Sequence, residues 1–403
     1  MQTLSFDQIK EISTKTPSKI VLLVMDGLGG LPDATTGKSE LEMAHKPNID
    51  RLAAKSNLGL AYPVQPGIAP GSGPGHLALF GYNPVTYLIK RGILEALGIG
   101  VEVKKGEIAT RGNFCIADSN GVITDRRAGR MPTEENAELC KLLGKIRIPG
   151  VDIQVHPVKD YRLVVVFSGP DLHDEVTESD PLVPGKAPLT VRALEPKAQK
   201  MANIANEFLA KAKETLKGKE RGNMILLRGF SSYPTIPAIQ DIYQLNPVAI
   251  AVYPMYRGLA SLAGMRVVDA GNSLSDELDT LKKLWNEHDF FYVHVKATDA
   301  AGEDGDFQRK KKAIEDVDVL FPRIMALNPD VVIITGDHST PSSMASHSWH
   351  PVPYMIYSKW VWPDNIEAFD ERNCSKGSLG RFQLEMNMVL AMANAQKLVR
   401  YGA

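Results

Sequence analysis

Acidic side chains follow three short apolar runs of the sequence. Asp26 comes directly after IVLLVM, Asp299 shortly after FFYVHV, and Asp337 shortly after VVIIT. Each run has the length and composition of a strand buried in a parallel sheet. Ligands bind where the carboxyl ends of such strands meet, so we expect these residues to converge at one edge. Carboxylates packed together repel one another unless cations bind between them.

Further metal-ligand types lie close to these positions. His338 follows Asp337 directly, SHSWHPVPY supplies His347 and His350, and Glu303 lies four residues after Asp299. Such ligands suit Mn²⁺, Mg²⁺ or Zn²⁺. A single aspartate after a strand is more often a turn former or helix cap, but three such sites with histidines nearby favour a metal centre. Two other acids, Asp304 and Asp306, are expected to cap the helix that follows.

Ser72 is the candidate nucleophile, in the segment PGIAPGSGPGHLALFGY. It lies between two glycines, which let a backbone approach a ligand closely, and Pro74 suits a helix start. Free N–H groups at a helix start favour phosphate, and metal coordination can activate a serine hydroxyl. A Gly-Pro turn in which Ser72 is a simple N-cap is the alternative. Prolines at positions 70 and 74 break the G-x-S-x-G pattern and argue against a serine esterase.

Arginines supply candidate groups for an anionic substrate. Their planar guanidinium groups suit bidentate binding of carboxylate or phosphate. Any one of them taken alone could be an ordinary surface residue, whereas a cluster bounded by glycine favours a site. The cluster DRRAGR contains Arg126, Arg127 and Arg130, and the further candidates are Arg111, Arg162 and Arg228.

The elements that position these residues predict an α/β fold. Additional apolar runs at Met224–Leu227 and Val248–Val252 read as buried parallel strands, and helical patterns occupy 47–56, 194–216, 275–286 and 306–326. The segment 103–185 instead contains short strand patterns and one helix near Glu134–Leu143. We therefore expect a discontinuous α/β domain, 1–102 and 186–403, with an inserted α+β domain at 103–185.

Composition excludes several classes of protein. A chain of 403 residues exceeds the size of one hydrophobic core, and 44% apolar with 23% charged residues is ordinary for a soluble protein. A net charge of −1 gives no general attraction to nucleic acid or anionic membrane. The basic run 309–312 reads as a solvated helix face. Three scattered cysteines, with no signal-peptide or membrane-span pattern, favour a reducing cytosol.

Six motifs, taken together, resemble the archaeal-type cofactor-independent phosphoglycerate mutases of the alkaline phosphatase superfamily. The resemblance extends from about Lys19 to the C-terminus, and GDHSTP with HSWHPVP is its most specific part. It implies an alkaline-phosphatase-like fold, two divalent metals and a phosphoserine intermediate. The implied reaction interconverts 3- and 2-phosphoglycerate in glycolysis and gluconeogenesis without 2,3-bisphosphoglycerate. The motifs are VMDGLGG, GSGPGHLALFGY, DRRAGR, VKATDAAGEDGDF, GDHSTP and HSWHPVP.

The resemblance also implies roles for individual residues. One metal would be held by Asp26, Ser72, Asp337 and His338, and the other by Asp299, residue 303 and His347. The family pattern A-G-H-D-G-D reads A-G-E-D-G-D here, so Glu303 replaces a histidine ligand. Glutamate favours Mn²⁺ or Mg²⁺ over Zn²⁺ or Co²⁺. The substrate would contact Arg111, Asp125, Arg126, Arg127, Arg130, Arg162, Arg228 and Lys296.

Other functions stay open at this level. A phosphatase or sulfatase would share the metal site but would not retain the alcohol. Another phosphomutase or phosphotransferase would share the metal site and retain a different alcohol. A proposed homoserine kinase is one such alternative, although neither a G-x-x-x-x-G-K-[ST] loop nor a kinase-type glycine loop occurs. In a non-catalytic metal-binding protein Ser72 would be dispensable. The expected partner is a small phosphorylated substrate, and the sequence does not determine the oligomeric state.

Overall fold

The computed structural model describes residues 4–402. Within that range the strands are β1 (Ile20–Met25), β2 (Asn57–Tyr62), β3 (Glu107–Ala117), β4 (Ile123–Asp125), β5 (Asp152–Pro157), β6 (Arg162–Ser168), β7 (Met224–Ser232), β8 (Pro247–Ala251), β9 (Arg266–Val267), β10 (Phe290–Val295), β11 (Val331–Thr335), β12 (Val352–Ser358) and β13 (Gly380–Gln383).

Helices alternate with these strands along much of the chain. Short 3₁₀ turns occur at Ala128–Arg130, Pro196–Ala198 and Leu384–Met386. The α-helices are α1 (Phe6–Ile12), α2 (Glu40–Met43), α3 (Pro47–Ala53), α4 (Ser72–Leu79), α5 (Arg91–Gly98), α6 (Thr133–Leu143), α7 (Gln199–Thr215), α8 (Ile239–Tyr243), α9 (Pro254–Leu262), α10 (Leu274–Leu284), α11 (Ala297–Glu303), α12 (Phe307–Leu320), α13 (Pro322–Met325), α14 (Glu371–Cys374) and α15 (Asn387–Asn394).

The chain folds into two compact units. The first contains residues 4–88 and 236–402, and the second contains Ile89–Thr235. The sequence predicts a discontinuous domain, 1–102 and 186–403, with an insertion at 103–185. The second unit is wider than the predicted segment 103–185, because it also takes up α5, α7 and β7.

The first unit is built around an eight-stranded sheet in the order β13-β2-β12-β11-β1-β10-β8-β9. Strands β11, β1, β10, β8 and β9 run parallel to one another, and β12 is antiparallel to both β11 and β2. Val21, Leu23 and Met25 of β1 share one core with Leu281 of α10 and Val317 of α12. The predicted mostly parallel sheet flanked by helices is therefore confirmed.

The second unit has a separate, antiparallel sheet. The long strand β3 pairs with β6, β7 and β4, and β5 pairs with β6. Leu163 and Phe167 of β6 pack with Leu139 of α6 and Phe208 of α7. The interpretation of Met224–Leu227 as a parallel strand of the main sheet is wrong. This segment lies in β7, which extends β3 antiparallel in the second unit.

Residues 4–402 contain no helix with the length and apolar character needed to cross a bilayer.

Candidate metal centre

Three adjacent parallel strands bring the acidic residues together. Strand β1 lies between β11 and β10, and Asp26 follows β1 immediately. Asp337 lies just beyond the end of β11, and Asp299 lies in the first turn of α11, which follows β10. All three carboxylates are buried. The shared strand direction thus places them at one edge of the sheet, as the sequence predicts.

One group of ligand atoms surrounds the Nε2 atom of His338. This nitrogen lies 3.3 Å from Oδ1 of Asp26, 3.2 Å from Oδ2 of Asp337 and 3.4 Å from Oγ of Ser72. Both carboxylate oxygens are buried, and neither has a hydrogen-bond partner in the described part of the chain. An ionised carboxylate can only accept, so unpartnered oxygens facing one another fit a bound cation.

A second group shares His338 with the first. Potential ligand atoms of Asp299, His338 and His347 all lie within 4.8 Å of one another. The rings of His338 and His347 stack with their centroids 3.6 Å apart. Glu303, at the last position of α11, places Oε1 3.5 Å from Nε2 of His347 and is about half exposed, at 52%. The residues expected at two metals therefore occupy one contiguous cluster.

Lys296 carries the positive charge closest to these acids within the described residues. Its Nζ atom lies 3.2 Å from Oδ2 of Asp26 and 2.5 Å from Oδ2 of Asp299. Burial and the neighbouring charges of Asp26 and Asp299 raise the pKa of Asp337 well above its usual range. Burial also acts to raise the pKa of Asp26, but His294, Lys296 and His338 outweigh it and lower this pKa. Asp337 can therefore ionise beside Asp26 and Asp299 only when further positive charge is bound, and such a site suits divalent cations.

Ser72 is the first residue of α4, and Gly71 is the N-cap. No side-chain capping bond is present at this helix start, so the alternative of Ser72 as a simple N-cap is wrong. A Cβ atom at Gly75 would lie 2.3 Å from the carbonyl oxygen of Asp337. Glycine at this position therefore lets α4 pack directly against the loop after β11, which brings Ser72 to the ligand cluster.

Two buried histidines support the acidic ligands and were not singled out from the sequence. Nδ1 of His76 lies 2.9 Å from the carbonyl oxygen of Ser72 and 3.2 Å from Oδ2 of Asp337. Nε2 of His294 lies 3.2 Å from Oδ2 of Asp26. Burial lowers the pKa of both histidines to about 4. The sequence offered one signal for each: His76 lies four residues after Ser72, and His294 lies inside an apolar strand.

Other acidic and histidine candidates have different partners. Asp306 caps α12 by accepting a hydrogen bond from the backbone N–H of Arg309, as expected. Asp304 instead pairs with the side chain of that arginine, so the expectation that it also caps this helix is wrong. His350 places Nδ1 3.1 Å from Oγ of Ser348. These side chains are not among the ligand groups identified above.

Three predicted substrate arginines lie on neighbouring strands of the second unit. Arg111 of β3 is directly opposite Arg228 of β7, and Arg162 of β6 is opposite Asn113. Residues 111 and 113 point to the same face of β3, so the arginines share that face. Each has a buried Nε atom without a hydrogen-bond partner in the described residues. Burial lowers the pKa of Arg111, and the charges of nearby arginines lower it further.

Two acids, Asp125 within the DRRAGR cluster and Asp180 outside it, fix the conformation of this cluster. Arg126 donates two hydrogen bonds, of 3.0 and 2.6 Å, to the buried carboxylate of Asp180. Asp125 accepts from the backbone N–H groups of Arg127 and Gly129 and thereby shapes the turn. The side chains of Arg127 and Arg130 are exposed. Arg126 is therefore held in place, whereas the other two arginines face solvent.

The fold and the centre define a class of α/β protein in which a parallel sheet gathers carboxylates, histidines and a serine at one edge, a donor set that could hold metal ions. Relatives named "Probable 2,3-bisphosphoglycerate-independent phosphoglycerate mutase" match nearly the full chain. The Thermotoga maritima protein is 50% identical over 98% of this chain and 98% of its own. The Aquifex aeolicus protein is 49% identical over 98% of this chain and 100% of its own.

The sequence model described as 2,3-bisphosphoglycerate-independent phosphoglycerate mutase matches residues 53–221. With the full-length relatives, this match shows that the chain belongs to the cofactor-independent phosphoglycerate mutase family, whose members are isomerases. A solved cofactor-independent phosphoglycerate mutase from Thermoplasma acidophilum is 30% identical with a TM-score of 0.75, covering 94% of this chain and 100% of that structure. A Pyrococcus horikoshii structure is 28% identical with a TM-score of 0.80, covering 96% and 100%.

Proposed function

We propose that this protein interconverts 3-phosphoglycerate and 2-phosphoglycerate in the cytosol, without 2,3-bisphosphoglycerate, through a phosphoserine at Ser72. The observation that carries the proposal is that Nε2 of His338 lies 3.4 Å from the Ser72 hydroxyl, 3.3 Å from Oδ1 of Asp26 and 3.2 Å from Oδ2 of Asp337, and that both carboxylate oxygens are buried and unpartnered. Family membership supplies the reaction class.

The donor set fits two divalent cations. Asp26, Ser72, Asp337 and His338 would hold one, and Asp299, Glu303 and His347 the other. When bound, the metals would neutralise charge on the transferring phosphoryl group and lower the pKa of the serine hydroxyl. The predominance of carboxylate oxygens favours Mn²⁺ or Mg²⁺, with Zn²⁺ and Co²⁺ as the alternatives.

The chain's own residues carry the covalent steps. Oγ of Ser72 forms a bond to phosphorus while the bond from phosphorus to the substrate oxygen breaks. The proton lost by the serine hydroxyl balances the proton gained by the departing oxygen. In the second step the other hydroxyl of the glycerate attacks phosphoserine, loses its proton and regenerates the serine. No water is consumed, so the two phosphoglycerates interconvert without release of phosphate.

Retention of glycerate distinguishes a mutase from a phosphatase. We assign this task to the arginines of the second unit, since three of them leave buried Nε donors free on one sheet face. A guanidinium group can bind a carboxylate or phosphate through two parallel hydrogen bonds. Lys296, which already contacts Asp26 and Asp299, would add positive charge next to the phosphoryl group.

The test is an assay of the purified protein with 3-phosphoglycerate and Mn²⁺, without added bisphosphoglycerate. We expect 2-phosphoglycerate as the product, with little inorganic phosphate. Phosphate as the main product would replace the mutase assignment with a phosphatase. No reaction with phosphoglycerate, but isomerisation of another phosphate ester, would leave the mechanism and change the substrate.

Ser72→Ala tests the covalent step. We expect a loss of about 10³-fold or more in kcat, because no other group can accept the phosphoryl in its place. Ser343→Ala, an exposed serine in the loop after β11, is the matched control and should keep parental activity. Mass spectrometry of the quenched parent enzyme should locate phosphate on Ser72. Substantial mutase activity in a folded Ser72→Ala protein would exclude the phosphoserine mechanism.

A further inference from the structure

A single buried hydroxyl joins the two groups of candidate metal ligands. Oγ1 of Thr340 lies 2.6 Å from Oδ1 of Asp299 and 2.9 Å from Nδ1 of His338. All three side chains are buried. Asp299 belongs to one ligand group, and His338 is shared by both. The Thr340 hydroxyl therefore connects the two groups by its hydrogen bonds to Asp299 and His338.

The directions of these two hydrogen bonds follow from the number of protons available. A threonine hydroxyl has one hydrogen to donate, and an ionised carboxylate can only accept. The Thr340 hydroxyl must therefore donate to Asp299. Its second bond can then only be one that it accepts, which requires a proton on Nδ1 of His338. The neutral imidazole carries its lone pair on Nε2 in that case.

We propose that Thr340 is a positioning residue, which fixes this tautomer of His338 and orients Asp299 with the same hydroxyl. The lone pair on Nε2 then faces the group formed by Asp26, Asp337 and Ser72. One side chain thus prepares a ligand at each of the two metals. This inference rests on the proposed two-metal function and adds a residue that links the two sites.

The surroundings hold Thr340 in place. Its backbone N–H lies 3.2 Å from the carbonyl oxygen of Gly27 and 3.0 Å from that of Gly29. The fully buried ammonium group of Lys310 donates to the carbonyl oxygens of Thr340, at 2.8 Å, and Gly29, at 3.0 Å. Two loops that carry metal ligands, those after β1 and β11, are therefore tied together through Thr340.

Helix α11 also packs closely on this residue. A Cβ atom at Gly302 would lie 2.3 Å from the carbonyl oxygen of Thr340, so only glycine fits there without a shift. Since α11 carries Asp299 and Glu303, the same contact relates the second ligand group to the Thr340 backbone. The backbone of Thr340 is consequently held by the loop after β1, by Lys310 and by α11, and this fixes the position of its hydroxyl group.

The test compares Thr340→Val, which keeps the shape and removes the hydroxyl, with Thr340→Ser, which keeps the hydroxyl. Loss of a hydrogen bond that orients a metal ligand typically weakens metal affinity about 10- to 100-fold. We expect that loss for Mn²⁺ in Thr340→Val, together with a smaller rise in Tm on adding Mn²⁺. Thr340→Ser should restore both values close to those of the parent.

Thr335→Val is the matched control. Thr335 is equally buried and its hydroxyl donates to the carbonyl oxygen of Pro353, so the control removes a hydroxyl without touching a ligand. It should bind Mn²⁺ like the parent. Parental Mn²⁺ affinity and Tm response in a folded Thr340→Val protein would overturn the proposal.

The tautomer can also be measured without any variant. Long-range ¹H–¹⁵N NMR of the metal-free parent, labelled at histidine, should show the proton of His338 on Nδ1. A proton on Nε2 would overturn the proposal even if Thr340→Val does not fold. A parent that neither binds two Mn²⁺ ions nor isomerises phosphoglycerate would instead refute the proposed function. A parent that does both, with Thr340→Val behaving identically, would refute only the role of Thr340.

Discussion

The candidate metal centre and the arginine region of the second unit differ in how their charges are balanced. At the metal centre, Asp26, Asp299 and Asp337 are buried with Lys296 as their closest cation among the described residues, and two carboxylate oxygens have no hydrogen-bond partner. Such an excess of buried charge is costly unless further cations reside there. The first region therefore suits cations that stay bound through the reaction.

In the arginine region, acids of the same unit already accompany several of the cations. Arg126 is bound bidentately by Asp180, and Arg228 lies 3.5 Å from Glu178 and 3.8 Å from Asp180. The charge is partly compensated before any ligand arrives, while some guanidinium donors stay free. This arrangement suits an anion that must bind, turn over and leave, and it predicts that the two regions fail in different ways when altered.

The largest expected effect is that of Gly27→Ala at the metal centre. Gly27 has a φ of +62°, and a Cβ atom there would lie 2.5 Å from Oγ1 of Thr340 and 2.6 Å from Oδ1 of Asp299. We expect loss of most bound Mn²⁺ and of activity, and a decrease in unfolding free energy of about 1–3 kcal/mol. Elemental analysis and urea denaturation measure these changes.

Gly37→Ala separates backbone strain from the clash. Gly37 has a similar φ of +67°, but a Cβ atom there would meet no atom within 4 Å. This variant should lose some stability while keeping its metal and activity. Equal metal loss in the two variants would mean that strain at positive φ, rather than contact with Thr340 and Asp299, explains the glycine at position 27.

The candidate metal centre could be predicted from the sequence because its candidate ligands follow a local rule. Residues just beyond buried parallel strands share an edge, so Asp26, Asp299 and Asp337 could be grouped from apolar runs alone. The two histidines that contact these acids could not be predicted, because their positions follow no such local rule. His294 lies inside a strand and His76 inside a helix, and nothing local shows that their rings turn towards Asp26 and Asp337.

The second unit was harder to predict because its pairings are distant in sequence. The apolar run that opens β7 has the same local pattern as a parallel strand, and only its pairing with β3, more than one hundred residues earlier, assigns it correctly. The position of Asp180, which holds Arg126, depends in the same way on the folded backbone. Arginine clusters can therefore be found in a sequence, whereas their acidic partners cannot.

A smaller effect is expected for Arg126→Ala in the second unit. Asp180 binds Nε and Nη2 of Arg126, so Nη1 and the second hydrogen of Nη2 can still bind a substrate anion. Loss of that contact should lower kcat/KM about 10²-fold, and Lys should rescue poorly because it lacks the planar fork. Metal content should stay at the parental level, in contrast to Gly27→Ala. Steady-state kinetics and elemental analysis on the same samples measure the two effects.

Arg221→Ala is the control for the second unit. Arg221 is half exposed, and its ion pair with Glu135 is long, at 3.8 Å, so its removal should cost little. Removal of Arg126 also leaves the buried Asp180 with Arg228 alone, so circular dichroism must show that Arg126→Ala is folded. Parental kinetics in folded Arg126→Ala would show that substrate recognition does not use this arginine, and the contrast between the two regions would lose its functional meaning.

The smallest effect is expected for Glu303, which lies at the edge of the metal centre and is half exposed. Its Oε1 atom lies 3.5 Å from Nε2 of His347. Burial acts to lower the pKa of His347, but Glu303, the Pro70 carbonyl oxygen and the charges of Asp299 and Asp337 together raise it to about 9. As a ligand, Glu303 would complete the metal bound by Asp299 and His347. Glu303→Ala should then weaken one metal only, by about tenfold. Glu303→His should keep some activity and move the metal preference towards Zn²⁺, because it replaces a carboxylate oxygen with a softer nitrogen.

Asp304→Ala, which removes the adjacent exposed carboxylate, is the control and should change neither property. Two tightly bound metals with an unchanged metal-dependence profile in Glu303→Ala would show that Glu303 is a solvent-facing residue and that water completes the site.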